Sequence, residues 1–253
     1  MWRFRKLLVT FGLFLPAIPL LAARPTHAPA SRLALLEIAP SPDAQVGQSL
    51  FEERCATCHG SDAAGTAQGP SILGLGSADY DFQLSTGRMP LARPGAQAVR
   101  KPPSFDEAQI RDIVAYLTLL SPGGTPIPQV QPGTGDLSRG QAVFELNCAP
   151  CHGVAGNGGA VGGQVAPNIH VATTSQIGEA VRIGPGTMPV FDQATISDQD
   201  LNSLARYVLY LRKPEDRGGA SLSHGGPIIE GFVALLIGLG SVVLATRFIG
   251  ARS

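Results

Sequence analysis

Cys55-Ala56-Thr57-Cys58-His59-Gly60 and Cys148-Ala149-Pro150-Cys151-His152-Gly153 are two copies of one motif, 93 residues apart, and together they use all four cysteines of the chain. The likeness extends upstream. Gly47-Gln48-Ser49-Leu50-Phe51-Glu52 leads into the first copy and Gly140-Gln141-Ala142-Val143-Phe144-Glu145 into the second. A self-similarity of this kind predicts two tandem units, over residues 43–121 and 136–213. Each carries a Met-Pro step downstream of its cysteines, Gly87-Arg88-Met89-Pro90 and Gly186-Thr187-Met188-Pro189. Each closes on an amphipathic helix. Ile110, Ile113, Val114 and Leu117 recur at helical spacing, as do Leu201, Leu204, Ala205 and Val208. Tyr116 and Tyr207 occupy matching places. The Pro/Gly-rich stretch 122–135 reads as a linker, and 214–226 as a second one. Units this small have little apolar core of their own.

The spacing C-x-x-C-H supplies two thiols for thioethers to the vinyl groups of one haem, with the next histidine reaching the iron. A zinc site built from all four cysteines is the rival reading, but such pairs usually lie about 15–20 residues apart. Here 90 residues separate Cys58 from Cys148. A disulfide within each pair leaves His59 and His152 unexplained. Two covalently bound haem c groups are therefore predicted, on Cys55/Cys58 and Cys148/Cys151. Apart from Met1, the only methionines are Met89 and Met188, 30 and 36 residues beyond His59 and His152. A methionine is usually a core filler. Two of two at corresponding places instead predict axial pairs His59/Met89 and His152/Met188. A six-coordinate iron with thioether and imidazole moves electrons and leaves no room for a substrate.

The ends fix the compartment. Arg3, Arg5 and Lys6 precede an apolar run from Leu7 to Ala23, the pattern of an export signal. Pro16 and Pro19 interrupt that run, which is short for a span, so residues 1–30 are read as a signal peptide, with an N-terminal anchor as the alternative. The predicted span 227–247 carries one charge within its apolar part 227–246, Glu230 near the start, and is long enough to cross a bilayer at about 1.5 Å per residue. Arg247 and Arg252 follow, which places the C-terminus in the cytoplasm and the paired units outside. The small residues Gly231, Gly238, Gly240 and Ala245 would let a neighbouring helix approach closely. The mean hydropathy of +0.14, high for a chain with 31 Gly and 21 Pro, agrees with a membrane segment.

Lys+Arg and Asp+Glu balance at 19 each, which argues against nucleic acid as a partner. With 44% hydrophobic and 15% charged residues the composition is not that of a disordered chain. His27, His170 and His224 read as single histidines in leader or loops. The glycine run 153–163 follows no strand, so a nucleotide-cradling loop fails its context and the run reads as chain wrapping a haem edge. Gly69-Pro70 and Ala166-Pro167 recur after each motif, and a turn is expected there, its proline packing or its preceding carbonyl bonding on the histidine side. Arg88, Arg93, Arg100 and Lys101 cluster near the first Met. They read as a group for propionates or a partner, or else as a solvated face.

Three further stretches carry a family resemblance: Ser85-Thr86-Gly87-Arg88-Met89-Pro90, Arg100-Lys101-Pro102-Pro103-Ser104-Phe105-Asp106-Glu107 and Gly226-Pro227-Ile228-Ile229-Glu230-Gly231. With them the sequence resembles, over nearly its whole length, the dihaem cytochrome c subunits of actinobacterial-type menaquinol:cytochrome c reductases, the cytochrome bcc complexes. The family usually has a proline at or near Ile229, a small departure. The resemblance implies a mainly α fold of two tandem class I cytochrome c domains plus a C-terminal transmembrane helix. It implies electron transfer from a Rieske iron–sulfur protein towards a terminal oxidase. The partners implied are the cytochrome b subunit, the Rieske subunit, a cytochrome c oxidase in supercomplex and membrane lipid. The chain would then be enzymatic only as the electron-transfer subunit of a quinol:cytochrome c reductase, a translocase. A dihaem acceptor subunit of a periplasmic dehydrogenase is the alternative. A dihaem peroxidase would need an iron able to open, against which the paired Met-Pro steps argue.

Overall fold

The structure is a computed structural model, and it describes residues 42–91, 93, 98–215 and 227–250. The leader 1–30 with His27, and most of the 214–226 linker with His224, lie outside the described residues.

Asp43 starts the first helix. Its carboxylate accepts from the backbone N–H of Gln45 and Val46, two donors that the first turn leaves unpaired. Helix α1 (Ala44–Arg54) runs to Cys55, and one turn, α2 (Ala56–His59), completes the motif. Then come α3 (Ser77–Ser85) and α4 (Glu107–Leu120), the latter opened by a reciprocal Asp106/Gln109 capping box. The second unit repeats the order. Asp136 caps α5 (Leu137–Asn147), followed by α6 (Ala149–His152), by α7 (Thr174–Ile183) with a Thr173/Gln176 capping box, and by α8 (Asp198–Leu211) capped by Ser197.

In each unit the first long helix crosses the last, and the repeated sequence explains how. A Cβ on Gly47 would stand 2.0 Å from the Asp112 carbonyl oxygen, and one on Gly140 2.0 Å from that of Ser203, so only glycine lets the backbones meet. One turn on, Phe51 and Phe144 are fully buried, tilted against Tyr116 and Tyr207 at 5.6 and 5.4 Å between ring centroids. The repeated Gln and Glu bond to each other on the outer face, Gln48 to Glu52 at 2.8 Å and Gln141 to Glu145 at 2.7 Å. The apolar stripes predicted on α4 and α8 are buried throughout.

Two features differ from the sequence reading. The glycine run holds a small antiparallel hairpin, β1 (Gly159–Val161) with β2 (Gln164–Ala166), turned at Gly162 and Gly163, both at positive φ. Three-residue strands give no readable alternation. The 122–135 linker is strapped down rather than free. Thr125 N–H donates to the Leu75 carbonyl and the Thr125 carbonyl accepts from Ala78 N–H, both at 3.0 Å. Pro128 and Val130 pack on Gly178 of α7, and 132–134 form a 3-10 turn.

From Pro227 to Gly250 the chain is helical, with Ala234–Leu239 wound as a π-helix. Within the 23-residue helix Ile228–Gly250 an 18-residue window reaches a mean hydropathy of 2.3, and no residue of that window is buried. A helix apolar on all sides needs an apolar solvent, and this one is long enough to cross a bilayer.

Candidate functional site

Each histidine of the motif is fixed by the turn it sits on. His59 N–H donates to Cys55 O at 3.0 Å and His152 N–H to Cys148 O at 2.9 Å, so each short helix begins on a cysteine and ends on the histidine. Gly60 and Gly153, at φ 80° and 76°, then turn the chain away. His59 Nδ1 lies 2.8 Å from the Pro70 carbonyl oxygen, and His152 Nδ1 2.9 Å from that of Pro167. Nδ1–H donates there, which sets the tautomer and leaves Nε2 as the free ligand atom of both rings. The expected turns are thus present, but the proline's own carbonyl does the bonding, not the preceding one. Proline has no N–H, and its carbonyl is not committed to a ladder.

In the first unit, Cys55, His59 and Met89 line one cavity, walled by Phe51, Ile72, Tyr80, Leu84, Ile113 and Leu117. Tyr80 keeps its hydroxyl satisfied on the Ile72 carbonyl at 2.9 Å. Gln83 also lines the cavity, and its Oε1 is buried without a protein partner. An apolar cleft with an imidazole, a thioether, a motif thiol and one orphaned polar atom at its wall fits a haem. Burial pushes the Cys55 thiol up to about 11 and the Cys148 thiol up to about 12. Buried protonated thiols are poor metal ligands and nucleophiles. Among the described residues no three His, Cys, Asp or Glu side chains gather to hold a metal, so the two C-x-x-C pairs do not converge as a four-cysteine zinc site requires.

The loop bearing Met89 is shaped by two of the family-like stretches acting together. Gly87, at φ 66°, lies so near the Lys101 carbonyl that a Cβ would be 2.1 Å from it, while Lys101 N–H donates to Thr86 O at 3.2 Å. Thr86 is buried, its hydroxyl on the Phe82 carbonyl. Met89 N–H closes the loop on Gln83 O at 3.0 Å. Met188 is held differently. Gly184 ends α7 in the left-handed region, and Arg182, 8% exposed, braces the following loop. It donates to the carbonyls of Phe191 (2.9 Å) and Ile196 (2.7 Å) and pairs with Asp198 at 2.7 Å. Met188 packs partly buried against the core of its unit.

The basic cluster is not one surface. Arg88 stacks on Phe82 at 4.6 Å, Lys101 bonds the Pro90 carbonyl, and Arg93 is exposed. Arg100 reaches the second unit, bonding Gln176 at 2.9 Å and the Val171 carbonyl at 3.3 Å. His170 is a loop residue with Nε2 on the Ala155 carbonyl. Sequence reasoning missed Arg182, Gln83 and the contacts across α3 and α7: the partners of Arg182 and of the α3–α7 pairs carry no motif, and Gln83 is marked only by its place in the cavity wall.

Residues 44–121 match the Cytochrome c family, and residues 135–208 match the family described as Cytochrome C oxidase, cbb3-type, subunit III. The chain is 38% identical to the Cytochrome bc1 complex cytochrome c subunit of Mycobacterium tuberculosis, over 89% of this chain and 84% of that protein. It is 34% identical to the protein of the same name from Corynebacterium diphtheriae, over 87% and 89%. A likeness of 27% to the Cbb3-type cytochrome c oxidase subunit CcoP of Rhodobacter capsulatus covers 64% of this chain and 60% of that one.

Proposed function

The chain belongs to the family of cytochrome bc1 complex cytochrome c subunits, and from that premise we propose that it takes electrons from a Rieske iron–sulfur protein and passes them towards a terminal oxidase. Its two cytochrome c domains carry two covalently bound haem c groups, each supplying a one-electron couple at its iron. Everything else is done by the chain. Cys55 and Cys58, and Cys148 and Cys151, anchor the groups through thioethers. His59 and His152 present Nε2, oriented by their Nδ1–H bonds to Pro70 and Pro167. Met89 and Met188, carried on loops that Gly87 and Arg182 shape, would supply a thioether ligand to each iron. Phe51, Leu84, Ile113 and Leu117 exclude water from the first site and so favour the less charged, reduced state.

The observation that carries this reading is the duplicated histidine geometry, the same Nδ1-to-proline-carbonyl bond in both units, with Met89 lining the first cavity beside His59. With the C-terminal helix as its anchor, the subunit holds both domains on the extracytoplasmic side. There they meet the Rieske protein and the cytochrome b subunit, and an oxidase in supercomplex. The whole complex then works as a redox-driven translocase, to which this subunit contributes electron transfer alone. The test is single-turnover reduction by quinol in complex purified from native membrane. Both c-type haems should reduce, and only when the Rieske cluster is intact. Undiminished reduction after removal of that cluster would overturn the assignment of the donor.

A further inference from the structure

Glu179, on α7 of the second domain, is 0% exposed, and among the described residues no N–H or O–H reaches either of its carboxyl oxygens. What it meets is the carboxyl of Asp81, on α3 of the first domain, within hydrogen-bond contact. Asp81 is half-buried and also bonds Ser85 of its own helix. Around the pair the two domains are tied by Gln176 Nε2, which donates to Ser85 Oγ at 3.1 Å and to its carbonyl at 3.3 Å, and by Arg100 on Gln176.

Two ionised carboxylates cannot share a buried contact, and one proton between them turns repulsion into a charge-assisted hydrogen bond. Among the described residues no cation offsets the pair. Arg182 on α7 is committed to Phe191, Ile196 and Asp198, and Arg100 to Gln176 and Val171. Arg88 lies over the Phe82 ring with its buried Nη1 unpartnered, and is perturbed by burial and by Arg100, not by either carboxyl. On α8, Asp200 pairs with Arg139, Arg206 bonds the Gly135 carbonyl, and Arg212 bonds the Ala172 carbonyl. The remaining ionisable groups of α3, α4 and α8 are Asp79, Tyr80, Glu107, Arg111, Asp112, Tyr116, Asp198, Tyr207 and Tyr210, and none of them perturbs Glu179 as Asp81 does.

We propose that Asp81 and Glu179 hold one proton between them and are positioning residues, latching the two domains in the arrangement in which electrons pass from one to the other. The proton is bound on docking, because burial and then the Asp81 charge push the Glu179 carboxyl up to about 9. A carboxyl raised in the docked state contributes stability that is full below its ordinary value of 4.5 and lost as pH climbs to about 9. The closed-to-open ratio therefore falls tenfold per pH unit through that window and levels off above it.

The full holo-chain in detergent, with both haems ferric, tests the latch by pulsed dipolar electron paramagnetic resonance between the two irons, whichever partners the subunit serves. Wild type should give one short distance at about pH 6 and a longer, broader distribution at about pH 10. Glu179→Gln, which keeps a neutral donor against the Asp81 carboxylate and removes the buried ionisable group, should hold the short distance at both. An unchanged wild-type distribution, or a Glu179→Gln chain that opens as wild type does, overturns the proposal. Infrared spectra at pH 7 should show a protonated-carboxyl stretch in wild type that Glu179→Gln lacks. Its absence from wild type overturns the shared proton.

Discussion

Arg182 and Met188 lie six residues apart, and their roles separate at the level of single side chains. Arg182→Met keeps most of the buried stem but removes the donors to Phe191 and Ile196, leaving two carbonyls short of partners. That should cost about 3 kcal/mol in the stability of the second domain. It should also loosen the Met188 loop, so the Met-to-iron charge-transfer absorption weakens and the second haem's potential falls while the first holds. A destabilised domain with an unaltered Met band would show that the brace serves the fold alone. Met89→Ala should remove half of that absorption and lower only the first potential. If neither moved, Met89 would not be the first sixth ligand. The two methionines were legible because the chain offers no others beyond Met1. Arg182 was not, since two of its partners are backbone carbonyls 9 and 14 residues on, which no side-chain pattern encodes, and the third, Asp198, opens the next helix.

Among the elements, the crossings of α1 with α4 and α5 with α8 depend on the one side chain that is missing at each. Gly140→Ala would drive a methyl to 2.0 Å from the Ser203 carbonyl and 2.9 Å from Tyr207 Cβ, and backbone on a packed helix has little room to yield. A loss of about 3 kcal/mol is expected in denaturant unfolding of the holo-chain. A loss below about 0.5 kcal/mol would mean that the helices slide apart easily. Helices α4 and α8 were legible because apolar spacing and the repeat agreed with one another. The hairpin 159–166 was not, since Gly-rich three-residue strands present neither period nor β-branched bulk. The C-terminal helix is a different case, for nothing lies within 4 Å of a Cβ placed on Gly231, Gly238 or Gly240. Exchanging Pro227 to Thr246 for an unrelated spanning helix should abolish copurification with the cytochrome b and Rieske subunits, as close packing on small residues would require. Unchanged copurification would reduce the helix to a tether.

At the scale of the whole molecule, two closed sites on one short chain make sense as consecutive stations, and the docking of α3 against α7 keeps those stations together. The strapped linker strengthens the case, because Thr125 is bonded to the first domain while Pro128 and Val130 sit on the second. The tandem layout was legible from the repeat, but that docking was not, since Asp81 and Glu179 are unremarkable alone and meet only in the fold. Net charges of −3 over residues 43–121 and −1 over 135–213 do not choose a direction. The proposed series, in which the first domain accepts from a Rieske centre and the second delivers to an oxidase, follows from the family resemblance and is open to a direct test. Cys148→Ala with Cys151→Ala removes the second haem and leaves α1 to α4 untouched. In membranes carrying this variant, quinol should still reduce the first haem while oxygen consumption stops. Oxygen uptake at the normal rate, with haem loss confirmed, would sink the series, because electrons would then leave from the first domain. Failure of quinol to reduce the first haem, with that domain still showing its Met89 absorption, would reverse the order.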